Sequence, residues 1–260
     1  MFSNTNNDIQ IIILAAGKGS RMKSNLPKPM HKIRDRTMIE IVIGHATKIS
    51  SNITIVYSHI MKPYLDSLLP SSPYKLVLQD EPLGTGHAVY SAIDAIETTT
   101  PTIVLYADNP FIDDNMITAM LHEFATTASD IMVMAFERFD PKGYGRIVMD
   151  EKRYVKKIVE CKDANTQEKA IILCNSGIIL FNSEVLKESL LDLMSHHISA
   201  RGEYYLTTLI EIAYNKGYKT GYFTTSGLVP LGVNTQKELR AAQEVDVKCV
   251  KAIKNLNLDC

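Results

Sequence analysis

Arg21, Lys23 and Lys28 follow a glycine pair, Gly17 and Gly19, which itself follows Leu14, Ala15 and Ala16. Cations beside glycines, at the end of an apolar run, are the parts of an anion site. Glycine accepts positive φ and puts no side chain between backbone and ligand. Successive N–H groups in such a turn make a concave cradle for negative charge, and Arg21 and Lys28 add full charges to it. The ligand this loop suits is a polyphosphate. Spacing excludes two common phosphate loops: no G-x-x-x-x-G-K-[ST] run occurs, and Met22 stands where G-x-G-x-x-G needs its third glycine.

Two further groups follow apolar runs in the same way. Tyr106 leads into Ala107 and Asp108, and Leu78 leads into Gln79. A carboxylate at Asp108 beside a phosphate loop suits Mg²⁺, a hard cation that takes oxygen ligands. The structural alternative is a helix N-cap, a role that Asp113 fills better. Gln79 precedes Leu83-Gly84-Thr85-Gly86-His87-Ala88. A carboxamide both donates and accepts, so with backbone groups of Gly84 and Thr85 it matches the edge of uracil. The alternative is that Gly84 or Thr85 simply caps the next helix. In the second half, Gly145, Glu160, Asn175 and Asn234 sit in turn or cap patterns that by themselves assign no role; Asn234 reads as an N-cap. His31, His59, His122 and the pair His196-His197 have no partner at metal-ligand spacing.

These loops need strands to hold them. Strand-like runs cover 9–14, 53–57, 74–78, 102–106 and 131–136, and helical spacing covers 37–49, 62–69, 86–97 and 113–124. This alternation predicts an α/β, Rossmann-like fold: a mixed, mostly parallel sheet with helices on both faces. Ligands of such sheets sit beyond the carboxyl ends of the strands, so the cationic loop, the amide and the carboxylate should share one cleft. Past residue 140 the pieces shorten: strands at 145–149, 154–159 and 176–181, helices at 183–193 and 203–216, and a strand at 218–224. A Gly-rich turn at 227–233 and an amphipathic tail at 235–255 complete the chain. The expected organisation is a nucleotide half at about 8–136, a small β-rich lobe at about 140–234, and a terminal helix within 235–260 that packs on the core.

With 260 residues, 45% of them hydrophobic, the chain can bury a full-sized core. A net charge of −1 gives no nucleic-acid footprint. The four cysteines form no C-x-x-C pair, and no apolar run is long enough to span a bilayer. A cytoplasmic protein without membrane or nucleic-acid partners is expected; the oligomeric state is left open.

The run Leu14-Ala15-Ala16-Gly17-Lys18-Gly19-Ser20-Arg21-Met22, followed by Leu26-Pro27-Lys28, resembles the signature of the sugar-phosphate nucleotidyltransferases. The run from Gln79 to Ala88 is the more diagnostic part. From Leu14 to Asn234 the chain resembles the uridylyltransferase half of the bifunctional N-acetylglucosamine-1-phosphate uridylyltransferase/glucosamine-1-phosphate acetyltransferase family. The resemblance implies a nucleotidyltransferase domain over 1–234. It implies uridylyl transfer from UTP to N-acetylglucosamine 1-phosphate, giving UDP-N-acetylglucosamine and pyrophosphate for cell-envelope precursors. Arg21 and Lys28 would contact phosphates. Leu14, Ala15, Ala16, Gly17 and Gly19 would border the nucleotide, and Gln79, Gly84 and Thr85 would read the base. Asp108 and Asn234 would hold Mg²⁺, and Tyr106, Gly145, Glu160 and Asn175 would face the amino sugar. The family's acetyltransferase β-helix has no counterpart in this sequence, so no acetyl transfer is expected. Ala107, Asn109, Leu173 and Thr208 depart from the family pattern and are expected near the sugar. They leave room for another sugar 1-phosphate, or for a non-catalytic relative that binds a nucleotide sugar.

Overall fold

The structure, a computed structural model, describes residues 9–141, 143–199, 201–225 and 232–244. The strands are β1 (Gln10–Ala15), β2 (Lys32–Ile33), β3 (Arg36–Thr37), β4 (Ile53–Tyr57), β5 (Lys75–Leu78), β6 (Thr102–Tyr106), β7 (Ile131–Glu137), β8 (Arg146–Met149), β9 (Val155–Val159), β10 (Leu173–Phe181) and β11 (Thr220–Thr224). The helices are α1 (Met38–Ile49), α2 (Lys62–Leu68), α3 (Thr85–Ser91), α4 (Asp114–Thr127), α5 (Thr166–Lys169), α6 (Ser183–His196), α7 (Thr208–Asn215) and α8 (Gln236–Glu244). The turn at 227–233 and the tail beyond Glu244 lie largely outside the described residues.

Nine strands form one sheet, in the order β11-β7-β10-β6-β1-β4-β5, with β8 and β9 extending from β10 as a hairpin. β1 runs parallel to β4 on one side and to β6 on the other. β10 is antiparallel to both β6 and β7. All six residues of β1 are buried, because helices cover both faces. Ile11 and Ile13 point into a core with α1 and α4, whereas Ile12 and Leu14 point into one with α3, α6 and α7. Each such buried isoleucine contributes roughly 1.5–3 kcal/mol. The chain builds β4 and β5 on one side of β1, then returns to place β6 on the other. That reversal opens a crevice between the carboxyl ends of β1 and β6, where doubly wound sheets bind ligands.

Several expected elements are shifted. The helix expected at 86–97 is α3 followed by a single 3-10 turn at Ile93–Ala95. The helix expected at 203–216 starts only at Thr208. The backbone of Tyr204 is engaged elsewhere: its N–H donates to Leu83 O at 2.7 Å and its O accepts from Gly86 N at 2.7 Å. This tertiary pairing overrides local helical preference. The strand expected at 176–181 runs back to Leu173, with an irregularity between Asn175 and Ile179. The hairpin β2–β3 and the single turn α5 were not expected. Thr37 and Glu40 form a capping box that starts α1, and Asp113 caps α4 as its type predicts. In α8, Leu239 and Ala242 pack with Met22, Met38 and Phe111, so the described part of the tail buttresses the glycine loop. Among the described residues no helix is long and apolar enough to cross a membrane.

Candidate active site

β1 ends at Ala15 and delivers the loop of Gly17 and Gly19 into the crevice. Gly19 has φ +61, and a Cβ there would lie 2.6 Å from Lys28 Cβ. Only glycine allows the loop to fold back on the segment that carries Lys28. Gly17 has open space around it, as a backbone facing a ligand requires.

Across the crevice, Asp108 follows β6. The Lys28 ammonium pairs with Asp108 Oδ2, with side-chain exposures of 10% and 24%. It also donates to Asn234 Oδ1 at 2.7 Å, and Arg21 Nη2 donates to the same oxygen at 2.9 Å. Asn234 Nδ2 donates to Gly232 O at 3.0 Å, which fixes the amide so that its oxygen faces the cations. The N–H of Val233 donates to Asp108 O at 3.0 Å and ties the two segments together. Asn234 is therefore not a helix cap. Thr235 Oγ1 accepts from Glu238 N in the first turn of α8 instead.

The carboxylate of Asp108 and the amide oxygen of Asn234 thus converge on one positive charge, the Lys28 ammonium. Mg²⁺ takes the same oxygen donors and completes its shell with water and substrate phosphates. The pair fits Mg²⁺ as a partial shell. Among the described residues no group of three or more His, Cys, Asp or Glu gathers as a closed metal site.

Gln79, just beyond β5, is buried to all but 5%. Its Nε2 donates to Gly84 O at 3.0 Å and approaches His87 Nδ1 at 3.0 Å. Gly84 has φ +107, and a Cβ there would meet Tyr204 O at 2.6 Å. Its place before α3 carries no side-chain cap. Thr85 Oγ1 accepts from Leu206 N at 3.0 Å rather than capping its own helix.

The far wall is built from the second half. Glu160 follows β9, and its Oε1 accepts from Thr207 Oγ1 at 3.0 Å. Burial holds the Glu160 carboxyl above the usual glutamate range, against that hydrogen bond and the charge of Lys162. Asn175 is buried; its N–H donates to Gly145 O at 2.9 Å and its Oδ1 accepts from Gly177 N at 2.9 Å. Gly177, with φ +94, lets the ring of Tyr106 lie where a Cβ would approach it at 3.2 Å. Burial keeps the Tyr106 phenol well above its ordinary pKa, with Thr85 opposing by a hydrogen bond. It stays a neutral donor at any working pH.

One cavity of about 650 Å³ joins these walls, and all sixteen candidate residues line it. They are Leu14, Ala15, Ala16, Gly17, Gly19, Arg21, Lys28, Gln79, Gly84, Thr85, Tyr106, Asp108, Gly145, Glu160, Asn175 and Asn234. His196 and His197, by contrast, pair with Asp192 on the surface of α6.

A family model, that of the MobA-like NTP transferase domain, matches residues 11–175. The chain belongs to that family. Among curated relatives, the bifunctional protein GlmU of Ruegeria sp. (strain TM1040) is 37% identical over 240 residues, which is 90% of this chain and 52% of that protein. GlmU of Clostridioides difficile (strain 630) is 38% identical over 240 residues, covering 92% of this chain and 51% of its own length. This MobA-like NTP transferase chain therefore spans about half the length of the curated relatives it matches. A solved structure described as a glucose-1-phosphate thymidylyltransferase from Bacillus anthracis superimposes with a TM-score of 0.75 at 23% identity, covering 92% of this chain and 96% of that one. That likeness concerns the fold.

The departures from the resembled pattern separate on inspection. Ala107 points into the core with α1 and α4, and Leu173 into the opposite core. Thr208 opens α7. None of these three lines the cavity; of the four departures only Asn109 does. The side chains missed from the sequence include Thr207, which holds Glu160, and Lys162, which donates to Tyr205 Oη at 2.6 Å. The Glu203-Tyr204-Tyr205-Leu206-Thr207 run was visible, but a run that reads as the start of a helix gives no sign that it crosses the cleft.

Proposed function

We propose that the chain transfers a uridylyl group from UTP to N-acetylglucosamine 1-phosphate, giving UDP-N-acetylglucosamine and pyrophosphate. The observation that carries this reading is the single cavity with a cationic phosphate corner at one end and the Glu160–Asn175 wall at the other. The GlmU relatives support the choice of sugar and base.

Charge dictates the division of labour. Both reactants are anions, so the protein must screen their approach and hold them in line. Arg21, Lys28 and the N–H groups of the glycine loop offset charge on the triphosphate as pyrophosphate leaves. Asp108 and Asn234 would hold Mg²⁺, which supplies electrostatic stabilisation of phosphate oxygens when bound. The Gln79 amide, with Gly84 and Thr85, orients the base. Glu160 accepts from sugar donors, Asn175 fixes the turn beside it, and the neutral Tyr106 phenol donates. No side chain in the cavity needs to act as a covalent nucleophile.

A second reading changes the sugar and keeps the reaction. Asn109, a departure from the resembled pattern, is 3% exposed and lines the cavity, and its Oδ1 has no hydrogen-bond partner among the described residues. Pyrophosphate release with a panel of sugar 1-phosphates separates the two. Fastest release with N-acetylglucosamine 1-phosphate supports the first reading, and fastest release with another sugar supports the second. No release from UTP with any sugar 1-phosphate contradicts both.

A further inference from the structure

We infer that His87, together with the Gly84 carbonyl, holds the Gln79 carboxamide with both its donors spent on the protein, and so restricts the cleft to bases with a ring N–H, such as uracil or thymine. This rests on reading the cleft as a nucleotide site. Gly84 O is a carbonyl and can only accept, so the Gln79 atom 3.0 Å from it is the nitrogen. The second proton on that nitrogen is directed at His87 Nδ1, also at 3.0 Å. Nδ1 must then carry a lone pair, which places the imidazole proton on Nε2. Both donors of the amide are thereby spent on the protein. Oε1 has no partner among the described residues, and Gln79 lines the cleft.

A carboxamide held this way offers the ligand an acceptor only. A ring N–H at position 3 of uracil or thymine meets it. The bare ring nitrogen of cytosine presents a second lone pair to a buried oxygen, and an unpaired buried acceptor is costly. His87 is a positioning residue here, acting through Gln79. Its own place is secured because the start of α3 is clamped: Gly86 N donates to Tyr204 O at 2.7 Å, and Thr85 Oγ1 accepts from Leu206 N at 3.0 Å.

Calorimetric binding of UTP and CTP with Mg²⁺ to the whole chain and two variants tests this. His87→Leu keeps the shape and removes the acceptor; His87→Asn restores an acceptor at nearly the same point. The Leu variant should lose roughly tenfold in the UTP-to-CTP affinity ratio, the size of one hydrogen bond to a buried partner. The Asn variant should keep the ratio within about twofold, as retention of that same bond requires. An unchanged ratio in the Leu variant overturns the inference, as does equal loss in both variants, since that would mark a role in shape alone. No UTP binding by the unaltered chain overturns the nucleotide-site reading with it. Should the Leu variant not fold, ¹⁵N NMR of the unaltered protein decides: a proton on Nε2 of His87 supports the inference, and one on Nδ1 overturns it.

Discussion

The two ends of the cleft are built differently. At the cationic corner, proposed for phosphate, Gly17, Gly19 and Asp108 hang from the ends of β1 and β6, two neighbouring parallel strands. Their placement follows from the sheet itself. At the far wall, proposed for the sugar, Glu160, Thr207, Asn175 and Gly177 come from an antiparallel hairpin, a bent strand and the segment before α7. Glu160 is held by the Thr207 hydroxyl from a distant segment, and Asn175 is held by its backbone bond to Gly145 and its own turn to Gly177. A corner fixed by strand ends tolerates few changes, whereas a wall assembled from separate pieces can be retuned one residue at a time. The first suits phosphate, which every nucleotide shares. The second suits the part of the substrate that varies.

Four substitutions probe that contrast. Lys28→Ala should act entirely at the corner. It should lower kcat by on the order of 10²–10³-fold, as loss of a preorganised charge does, and leave the KM for the sugar phosphate unchanged in steady-state kinetics. A large rise in that KM would blur the distinction between the two ends. Gly84→Ala strikes the joint between them, where φ +107 and Tyr204 O at 2.6 Å forbid a Cβ. It should cost roughly 2–4 kcal/mol in denaturant unfolding.

Glu160→Gln should mirror Lys28→Ala. The KM for the sugar phosphate should rise about tenfold, the worth of one charge-assisted hydrogen bond, while UTP affinity stays as it was. The stability of the wild type should also depend on pH in a defined sense. Burial raises the folded-state pKa of Glu160, so the folded protein binds that proton more tightly than the unfolded chain. The resulting stabilisation is complete below the ordinary glutamate pKa and is lost as pH rises through the raised value. The wild-type melting temperature should therefore match the Gln variant's in acid and fall behind it at neutral pH; the opposite order would contradict the burial of that carboxylate. Gly177→Ala should have the smallest effect, roughly 1–2 kcal/mol of stability. It forces a Cβ into φ +94, but the Tyr106 ring at 3.2 Å can give way.

The same contrast explains what the sequence revealed. Isoleucines leading into a glycine pair, and an apolar strand followed by Asp108, point to the sheet's carboxyl edge, so the meeting of the cationic loop and the carboxylate was legible from local pattern. Glu160, Asn175 and Asn234 were not legible that way; each looked like a turn or a cap, and only the family resemblance singled them out. Asn234 shows why. Its neighbours suggest an N-cap, yet its oxygen faces Arg21 and Lys28, more than 200 residues earlier in the chain. Ala107 and Leu173 show the converse. The pattern marked them as departures near the sugar, but both side chains are buried in the core. The helix expected from residue 203 failed for a related reason, since the Tyr204 backbone is claimed by the segment entering α3.

The account depends most on Asp108 and Asn234 offering their oxygens to a cation at the phosphate corner. Calorimetric titration of UTP into the wild-type chain and into Asp108→Asn, with and without Mg²⁺, tests this directly. The wild type should bind UTP more tightly when Mg²⁺ is present, and the Asn variant should lose that enhancement while keeping its melting temperature. Equal enhancement in both proteins would contradict the account.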